Sequence, residues 1–166
     1  MFQSLIIPHA EITLTKLNEI IQIKSIAWPY CYEKQFEWIH DNLKNTDIHV
    51  LIYQEETLIA YLNLIDIEFK IDGNLKNGFG IGNVCALKIG KGWGKYLIKC
   101  TNTYLKDNNK IGLLFCKSQL VKFYSDNNWR LVRNEKLNCP FKNEVQSMVY
   151  NSPEDFNQLE YIGKPF

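Results

Sequence analysis

The sequence predicts a mixed α/β fold, with one domain over residues 1–166 that carries a mixed sheet covered by helices on both faces. Early in the chain, two strands separated by a short turn predict an antiparallel hairpin. Later, a strand–helix–strand succession predicts a parallel unit, and its second strand is the continuous apolar run Ile111-Gly112-Leu113-Leu114-Phe115-Cys116. Antiparallel and parallel strands in one short chain together indicate a mixed sheet.

The first half of the chain alternates between strand and helix periodicity. Thr13 is the expected N-cap of the first helix, because its hydroxyl can accept from an unpaired N–H of the first turn. Gln54-Glu55-Glu56 is the expected hairpin turn. The predicted elements are a strand over 4–8, a helix from 13 to about 26, a helix along Phe36, Ile39, His40 and Leu43, and strands over 48–53 and 58–67.

The second half begins with turn residues, which predict loops at Asp72-Gly73-Asn74 and at Asn77-Gly78. A helix with one apolar face is expected after a glycine-rich loop. The predicted elements are a strand over 81–87, the helix along Leu97, Cys100, Thr101, Tyr104 and Leu105 that ends at 107–109, a strand over 111–116, a helix over 120–127, and strands over 129–132 and 145–150. Residues 151–166 are polar and receive no assignment.

Composition and charge narrow the class of protein. The formal net charge is +1, with 46% hydrophobic and 22% charged residues, so no broad electrostatic field attracts nucleic acid or a membrane surface. No apolar run approaches the roughly 18 residues that a membrane-spanning helix requires. We therefore expect a cytoplasmic monomer or homodimer whose partner is a small molecule, with no nucleic acid and no membrane.

The cysteines predict neither a metal site nor disulfides. They are odd in number and widely spaced, and no Cys-x-x-Cys pair occurs. Cys85 and Cys116 lie inside apolar runs and are expected as small core residues. The remaining cysteines are Cys31, Cys100 and Cys139.

The most informative motif is a loop with glycine at positions 90, 92 and 94, between an apolar strand and a helix. Glycine lets the backbone approach a ligand closely, and the unpaired N–H groups of the following helix favour an anion. Lys91 and Lys95 add positive charge at the rim. The loop is not a Walker loop, because Tyr96 follows Gly94-Lys95, and its spacing is not that of the dinucleotide fingerprint. It predicts a phosphate-bearing ligand, with a plain tight turn as the alternative.

Two motifs together resemble the GCN5-related N-acetyltransferases. Ile89-Gly90-Lys91-Gly92-Trp93-Gly94 is similar to the family's Gln/Arg-x-x-Gly-x-Gly/Ala loop, with isoleucine in the first position. Phe123-Tyr124-Ser125-Asp126-Asn127-Asn128-Trp129 is similar to its Phe-Tyr-x-x-x-Gly-Phe, with Asn128 in the glycine position. His49-Val50-Leu51-Ile52 is weakly similar to the aminoglycoside 2′-N-acetyltransferase branch. The resemblance implies a mostly antiparallel sheet of about six to seven strands with one splayed pair.

The resemblance also implies acetyl-coenzyme A as cosubstrate, no metal, and specific residue roles. The backbone of Cys85, Ala86 and Leu87 would bind the pantetheine arm and polarise the thioester carbonyl. The backbone of Gly90, Lys91, Gly92, Trp93, Gly94 and Lys95 would hold the pyrophosphate. Tyr124 would protonate the departing thiolate, whereas the alternative for Tyr124 is a core aromatic.

The base and the acceptor site are less defined by the sequence. Residues 80–83 contain no carboxylate, so a base could come from Asp66, Glu68, Glu33 or His40, or through ordered water. His9, which follows a predicted strand, and His49, which begins one, are expected to be structural. The aromatic cluster with Trp28 and Tyr30 is expected to wall the acceptor pocket or to plug the sheet. Asp66 and Glu68, expected at a strand end, would attract a cationic amine.

These residues predict an N-acetyltransferase that moves an acetyl group from acetyl-coenzyme A to a primary amine of a small molecule, for example an amino sugar, by direct attack in a ternary complex. Two alternatives share the loop. One is a non-catalytic acyl-coenzyme A binding or sensing domain, which needs no base. The other is a longer-chain acyltransferase on the same fold. An ATP-binding module is disfavoured because no Ser or Thr follows Gly94-Lys95.

Overall fold

The computed structural model describes residues 1–166, which divide into two compact units. The first unit comprises Met1–Ile65 and Gly82–Thr101, and the second comprises Asp66–Ile81 and Asn102–Phe166. The prediction of a single domain over 1–166 stays a prediction.

The chain contains four α-helices, three short 3₁₀ helices and nine strands. The α-helices are α1 Leu14–Ala27, α2 Tyr32–Asn42, α3 Trp93–Asp107 and α4 Val121–Ser125. The 3₁₀ helices are His9–Glu11, Ser118–Leu120 and Asn134–Lys136. The strands are β1 Phe2–Pro8, β2 Ile48–Gln54, β3 Thr57–Ile71, β4 Asn74–Ala86, β5 Ile111–Cys116, β6 Arg130–Val132, β7 Leu137–Asn138, β8 Gln146–Tyr150 and β9 Leu159–Glu160.

The first unit is built on antiparallel strands. β1 pairs with β2 along its whole length, from Phe2 opposite Gln54 to Pro8 opposite Ile48, and β2 pairs with β3. Helices α1 and α2 supply the apolar side chains that complete the core. The buried cluster consists of Leu17, Ile20, Ile21, Ile23, Ile39, Leu43, Leu51, Tyr53, Leu58, Tyr61 and Cys85. This core includes Cys85, as the sequence predicts.

The second unit contains the parallel pair. β4 pairs with β5 over Gly78–Ile81, and β8 pairs antiparallel with both β5 and β6. The two-residue strands β7 and β9 pair with each other, and β9 also pairs with β3. The fold is therefore a mixed α+β fold with a mostly antiparallel open sheet, which confirms the predicted class. The sheet has more strands than expected because β7 and β9 are too short to give a periodic signal.

The helices and strand β5 can be compared with the predicted bounds. Thr13 caps α1, since its Oγ1 accepts from the N–H of Lys16 at 3.3 Å. Helix α3 ends at Asp107 and strand β5 spans Ile111–Cys116, both as predicted. Helix α4 is shorter than predicted, because the 3₁₀ helix Ser118–Leu120 precedes it and it ends at Ser125.

The loop predicted at Asn77-Gly78 is wrong, because both residues lie inside β4. A Cβ at Gly78 would lie 2.3 Å from the carbonyl oxygen of Ile111, so this glycine permits close approach of two strands and marks no turn. The predicted strand over 58–67 is also too short, since β3 continues to Ile71. Asp66 and Glu68 therefore lie within β3, and their expected position at a strand end is wrong.

Residues 151–166 are part of the second unit and pack against its other elements. Phe156, Leu159 and Tyr161 are buried, and a Cβ at Gly80 would lie 2.5 Å from the Phe166 ring. The Phe166 ring centroid is also 5.0 Å from that of Phe115 on β5. The polar composition of this segment concealed these contacts, because its few aromatic residues show no periodicity.

Candidate active site

The glycine loop has a backbone that only glycine adopts readily. Gly90 and Gly92 have φ of +81° and +76°, in the left-handed region. A Cβ at either position would meet nothing within 4 Å, so conformation rather than crowding requires glycine there. Ile89 is 99% exposed and belongs to no core. Left-handed residues that alternate with ordinary ones turn successive N–H groups inward, which creates a concavity for an anion.

Helix α3 begins directly after this concavity. Its first intrahelical hydrogen bond runs from the N–H of Tyr96 to the carbonyl of Gly92, at 3.1 Å. The N–H groups of Trp93, Gly94 and Lys95 therefore precede the helical ladder, at the positive end of the dipole of a 15-residue helix. The first turn of α3 contains no acidic residue. The loop and the helix start thus fit a pyrophosphate.

Around this concavity the charged side chains are basic. Lys88, Lys91 and Lys95 are all exposed. Exposed lysines contribute little to folding stability but attract a polyanion over roughly a Debye length, about 8–10 Å at physiological salt. The charge pattern therefore agrees with the backbone geometry.

The chain at the end of β4, just before the glycine loop, is hydrogen-bonded along one edge. The N–H of Leu87 donates to the carbonyl of Ile59 at 2.8 Å. Because N–H groups alternate in direction along a strand, the N–H of Ala86 faces the opposite edge. Cys85 is buried in the core, and burial raises the pKa of its thiol to about 12. A thiol of this pKa stays protonated at neutral pH and does not act as a nucleophile.

Tyr124 is buried in α4, where its ring lies 6.3 Å from the ring of Trp129. Burial raises the pKa of its hydroxyl, so the group carries its proton at neutral pH. The Tyr124 carbonyl accepts from the N–H groups of Asn127 and Trp129. Asn128 has φ of +68°, which explains why asparagine can occupy a position where the resembling motif has glycine.

The four residues predicted to bind the acceptor lie in different units. Trp28 and Tyr30 are in the first unit, where Trp28 packs half-buried on the core cluster and Tyr30 is 60% exposed. The Trp28 carbonyl accepts from Gln35 Nε2 at 2.7 Å and from the N–H of Tyr30. Asp66 and Glu68 are in the second unit, half-buried and exposed respectively. Their roles stay predictions.

None of the predicted base candidates on helix α2 occupies a buried site. Glu33 lies in the first turn of α2 and His40 in its last turn, and both are exposed. Neither side chain therefore lies in an enclosed site that would position it against a bound amine.

The fold instead assembles a buried polar row that the sequence does not reveal. His9 Nδ1 lies 2.9 Å from His49 Nε2, and His49 Nδ1 lies 2.8 Å from the Tyr61 hydroxyl. His49 is fully buried and Tyr61 is 1% exposed, whereas His9 is half-buried. Burial, together with the smaller effects of the nearby His9 and Lys24, lowers the pKa of His49 to about 3. We call His9, His49 and Tyr61 the His–His–Tyr row.

Two further polar groups lie inside the first unit. Lys24 is 2% exposed, its Nζ is 4.1 Å from the centroid of the Trp38 ring, and burial lowers its pKa to about 8. Asn63 is fully buried, and its Oδ1 accepts from Asn83 Nδ2 at 2.6 Å, while its own Nδ2 has no hydrogen-bond partner. The sequence signal for Lys24 is its place on the apolar face of α1, beside Ile20 and Ile21.

The structure brings together no group of three or more His, Cys, Asp or Glu side chains that could hold a metal ion. All the cysteines are free. No helix combines the length and apolar character that crossing a membrane requires.

Solved structures of N-acetyltransferases share this fold. An N-acetyltransferase from Staphylococcus aureus Mu50 aligns with a TM-score of 0.66 at 21% identity, over 90% of this chain and 97% of that one. An acyl-CoA N-acyltransferase from Pseudomonas aeruginosa aligns with a TM-score of 0.65 at 17% identity, over 90% and 99%. An aminoglycoside 6′-N-acetyltransferase complexed with coenzyme A aligns with a TM-score of 0.62 at 11% identity, over 91% and 99%.

These likenesses show that the chain has the fold of the GCN5-related N-acetyltransferases, as the motifs predict. No protein-family model and no curated protein matches the sequence. At such identities the likeness establishes the fold alone. The predicted branch similarity stays a prediction.

Proposed function

We propose that this chain is an N-acetyltransferase that moves an acetyl group from acetyl-coenzyme A to a primary amine of a small molecule. The acceptor attacks the bound thioester directly in a ternary complex. The observation that carries the proposal is the glycine loop, in which Gly90 and Gly92 are left-handed and open directly onto the start of α3. A pyrophosphate in that concavity meets backbone donors, the helix dipole and exposed lysines together.

The strand end before the loop supports the placement of the thioester. The N–H of Leu87 already donates to Ile59, so among the three backbone positions expected to act, Ala86 has the N–H that faces away from β3. We assign that N–H to the thioester carbonyl, where negative charge develops during attack. No covalent enzyme intermediate is required, which agrees with the protonated state of Cys85.

Tyr124 is the proposed acid. As the amine nitrogen forms its bond to the carbonyl carbon, the carbon–sulfur bond breaks and the thiolate takes a proton from the Tyr124 hydroxyl. The buried hydroxyl retains that proton at neutral pH, because burial disfavours its ionised form. Trp28, Tyr30, Asp66 and Glu68 remain the proposed contacts of the acceptor.

One observation favours a second candidate function. Residues 80–83 offer no carboxylate base, and the Ile89 side chain is fully exposed in place of the expected Gln or Arg. A domain that binds acyl-coenzyme A without turning it over requires neither group. Acceptor turnover separates the two functions.

The test is thiol release from acetyl-coenzyme A in the presence of a panel of primary amines: an amino sugar, an aminoglycoside, a polyamine and an aromatic amine. The expected result is release that depends on one class of amine. Parallel reactions with acetyl- and longer acyl-coenzymes report the acyl length, and preference for the longer chain would replace acetyl transfer by longer-chain transfer. Binding of acetyl-coenzyme A without release for any amine would favour the binding domain.

A further inference from the structure

A cavity of about 380 Å³ lies in the first unit, next to the end of β4. One face of helix α1, the turn between β2 and β3, and the last residue before the glycine loop form its walls. Its volume falls within the roughly 300–1,000 Å³ that is usual for small-molecule sites. The chemistry of its lining therefore indicates the kind of ligand that it fits.

The floor of the cavity is apolar. Ile23 and Leu58 are 3% and 8% exposed, and Leu87 is half-buried against the same core cluster. Ile26, one turn after Ile23 on α1, also lines the cavity and is 57% exposed. An aliphatic chain that covers these side chains would remove apolar surface from water on both sides of the contact. The cavity therefore favours a ligand with an apolar body.

The charged side chains that line the cavity are both carboxylates. Glu19 lies on α1, and Glu56 lies in the turn between β2 and β3. The other polar residues of the lining, Gln22 and Thr57, are neutral. A concave site whose charges have one sign attracts a ligand of the opposite sign. The ligand that complements this cavity therefore carries a positive charge in addition to its apolar body.

The two carboxylates differ in how far other groups of the chain already satisfy them. The Tyr53 hydroxyl donates to Glu19 Oε2, and Lys16 Nζ lies 3.1 Å from the same oxygen. Glu56 is exposed and takes part in none of the ion pairs of the chain. Glu56 is therefore the main contact that the cavity offers to a cation.

The cavity adjoins the proposed reaction centre. Its wall includes Leu87, which directly follows Ala86, and the N–H of Ala86 is assigned to the thioester carbonyl. Trp28, a proposed contact of the acceptor, follows Ile26 by two residues at the end of α1. Trp28 and Leu87 pack against the same core cluster. A ligand in the cavity therefore lies beside the strand end at which the acetyl group would be transferred.

An ammonium group held at Glu56 cannot itself be the nucleophile. A carboxylate partner favours the protonated form of an amine, and that form has no lone pair with which to attack the thioester. The cation at Glu56 and the attacking nitrogen are therefore two different groups of one acceptor. The apolar floor between the turn and the end of β4 is where the chain that joins them would lie.

We propose that this cavity is the acceptor subsite and that the acceptor is a linear diamine or polyamine. Its distal ammonium lies at Glu56, its methylene chain covers Ile23, Leu58 and Leu87, and its other amine reaches the thioester. The inference rests on the proposed function and names the class of amine. In the transfer, the neutral amine bonds to the carbonyl carbon and the carbon–sulfur bond breaks. Tyr124 protonates the sulfur and regains a proton from solvent, while the acylated nitrogen releases its surplus proton to solvent.

The experiment compares 1,6-diaminohexane with 1-aminohexane, which has the same carbon chain and lacks the second nitrogen. With wild-type protein, thiol release should give a KM for the diamine roughly tenfold below the KM for the monoamine, at similar kcat. Glu56→Lys should raise the KM for the diamine roughly tenfold, because a like charge then faces its distal ammonium. The kcat and the KM for the monoamine should not change, since the contact lies away from the reacting atoms.

The matched control is Glu55→Lys. Glu55 precedes Glu56 in the same turn and is also exposed, but it does not line the cavity. The control changes the net charge by the same amount and should keep the wild-type KM for both amines. A second readout that needs no turnover is calorimetric titration of 1,6-diaminohexane into protein saturated with coenzyme A. Glu56→Lys alone should weaken this binding.

The outcomes separate the subsite from the proposed function. A preference for the diamine that Glu56→Lys removes and Glu55→Lys retains supports the subsite. Equal KM values of the wild-type protein for the two amines, or equal effects of the two substitutions, overturn the subsite and leave the acetyltransferase in place. Wild-type protein that binds the diamine and acetylates no amine overturns the proposed function, and the role of the cavity in acceptor binding falls with it.

Discussion

The glycine loop and the His–His–Tyr row represent two ways in which a chain builds a site. The loop is contiguous and exposed, and its shape follows from two left-handed glycines. The row is buried, and its members are brought together by strand pairing across 52 residues of sequence separation, from His9 to Tyr61. Local backbone chemistry can be inferred from the sequence, whereas side chains assembled by register require the fold.

The two regions also differ in how substitutions should act. Backbone atoms do the binding in the loop, so a variant there should abolish a ligand contact with little effect on the core. The row consists of side chains that are largely buried, so variants there should change the stability of the core and its dependence on pH. Four predictions, from the largest expected effect to the smallest, test this difference.

The largest effect is expected for Gly92→Glu, which should abolish binding of acetyl-coenzyme A. The added side chain enters the anion concavity with a negative charge, and calorimetric titration measures the loss. Gly73→Glu is the matched control: its φ of +78° is nearly that of Gly92, and open space surrounds both positions. The control shares the backbone strain but should bind normally. Unimpaired binding by folded Gly92→Glu protein contradicts the loop assignment.

The second-largest effect is expected for Tyr124→Phe. This variant should slow thiol release roughly 10²-fold and retain binding of acetyl-coenzyme A, because only the proton donor is lost. The measurement is kcat for acetylation of the preferred amine, alongside calorimetry. An unchanged kcat would reduce Tyr124 to a packing residue of the second unit.

The third prediction concerns the free energy of unfolding, which should depend on pH because His49 is buried. Burial lowers the pKa of His49 to about 3 in the folded chain, from roughly 6.5 in an unfolded chain. Between these two pH values, the unfolded chain binds a proton at His49 that the folded chain does not. Its contribution to stability is fully present above about pH 6.5 and is lost as the pH falls, with a limiting slope of about 1.4 kcal/mol per pH unit.

Urea unfolding between about pH 7 and pH 5 tests this slope. His49→Gln should flatten it, whereas Gln54→Ala, at an exposed position that carries no titratable group at the end of β2, should leave it at the wild-type value. Equal slopes in wild-type and His49→Gln protein would show that His49 is not held neutral by the fold.

The smallest effect is expected at Asn128, whose conformation, like that of the loop glycines, is a local backbone property. With φ of +68°, Asn128→Ala should destabilise the protein by about 1 kcal/mol, while Asn128→Gly should be neutral within a few tenths. Urea unfolding compares them, with exposed Ser125→Ala as the control. Identical stabilities for the alanine and glycine variants would refute the assigned role.

The sequence was sufficient wherever a feature depends on neighbouring residues. It predicted the cap at Thr13, the helix after the loop and the strand over 111–116. It failed at Gly78, because an Asn-Gly pair is also a turn signal in sequence. The reason for glycine here is the close approach of Ile111, a tertiary contact that the local sequence does not show. It also missed the pairing of β7 and β9, which are held by long-range contacts rather than by periodicity.

The same distinction applies to the candidate site. The sequence predicts structural roles for His9, which follows a predicted strand, and for His49, which begins one. Nothing in their spacing indicates the register that brings the two rings within 2.9 Å. Lys24 did carry a signal, since a lysine on the apolar face of a helix must be buried or must snorkel. The acceptor residues stay predictions, because they depend on a ligand whose identity no local pattern encodes.

The most direct test of the central claim is calorimetric titration of the wild-type protein with acetyl-coenzyme A, with ATP and NAD as control ligands. The proposed function predicts saturable binding of acetyl-coenzyme A and no comparable binding of either nucleotide. Failure to bind acetyl-coenzyme A, or equal binding of ATP, would contradict the assignment of the glycine loop and of every role derived from it.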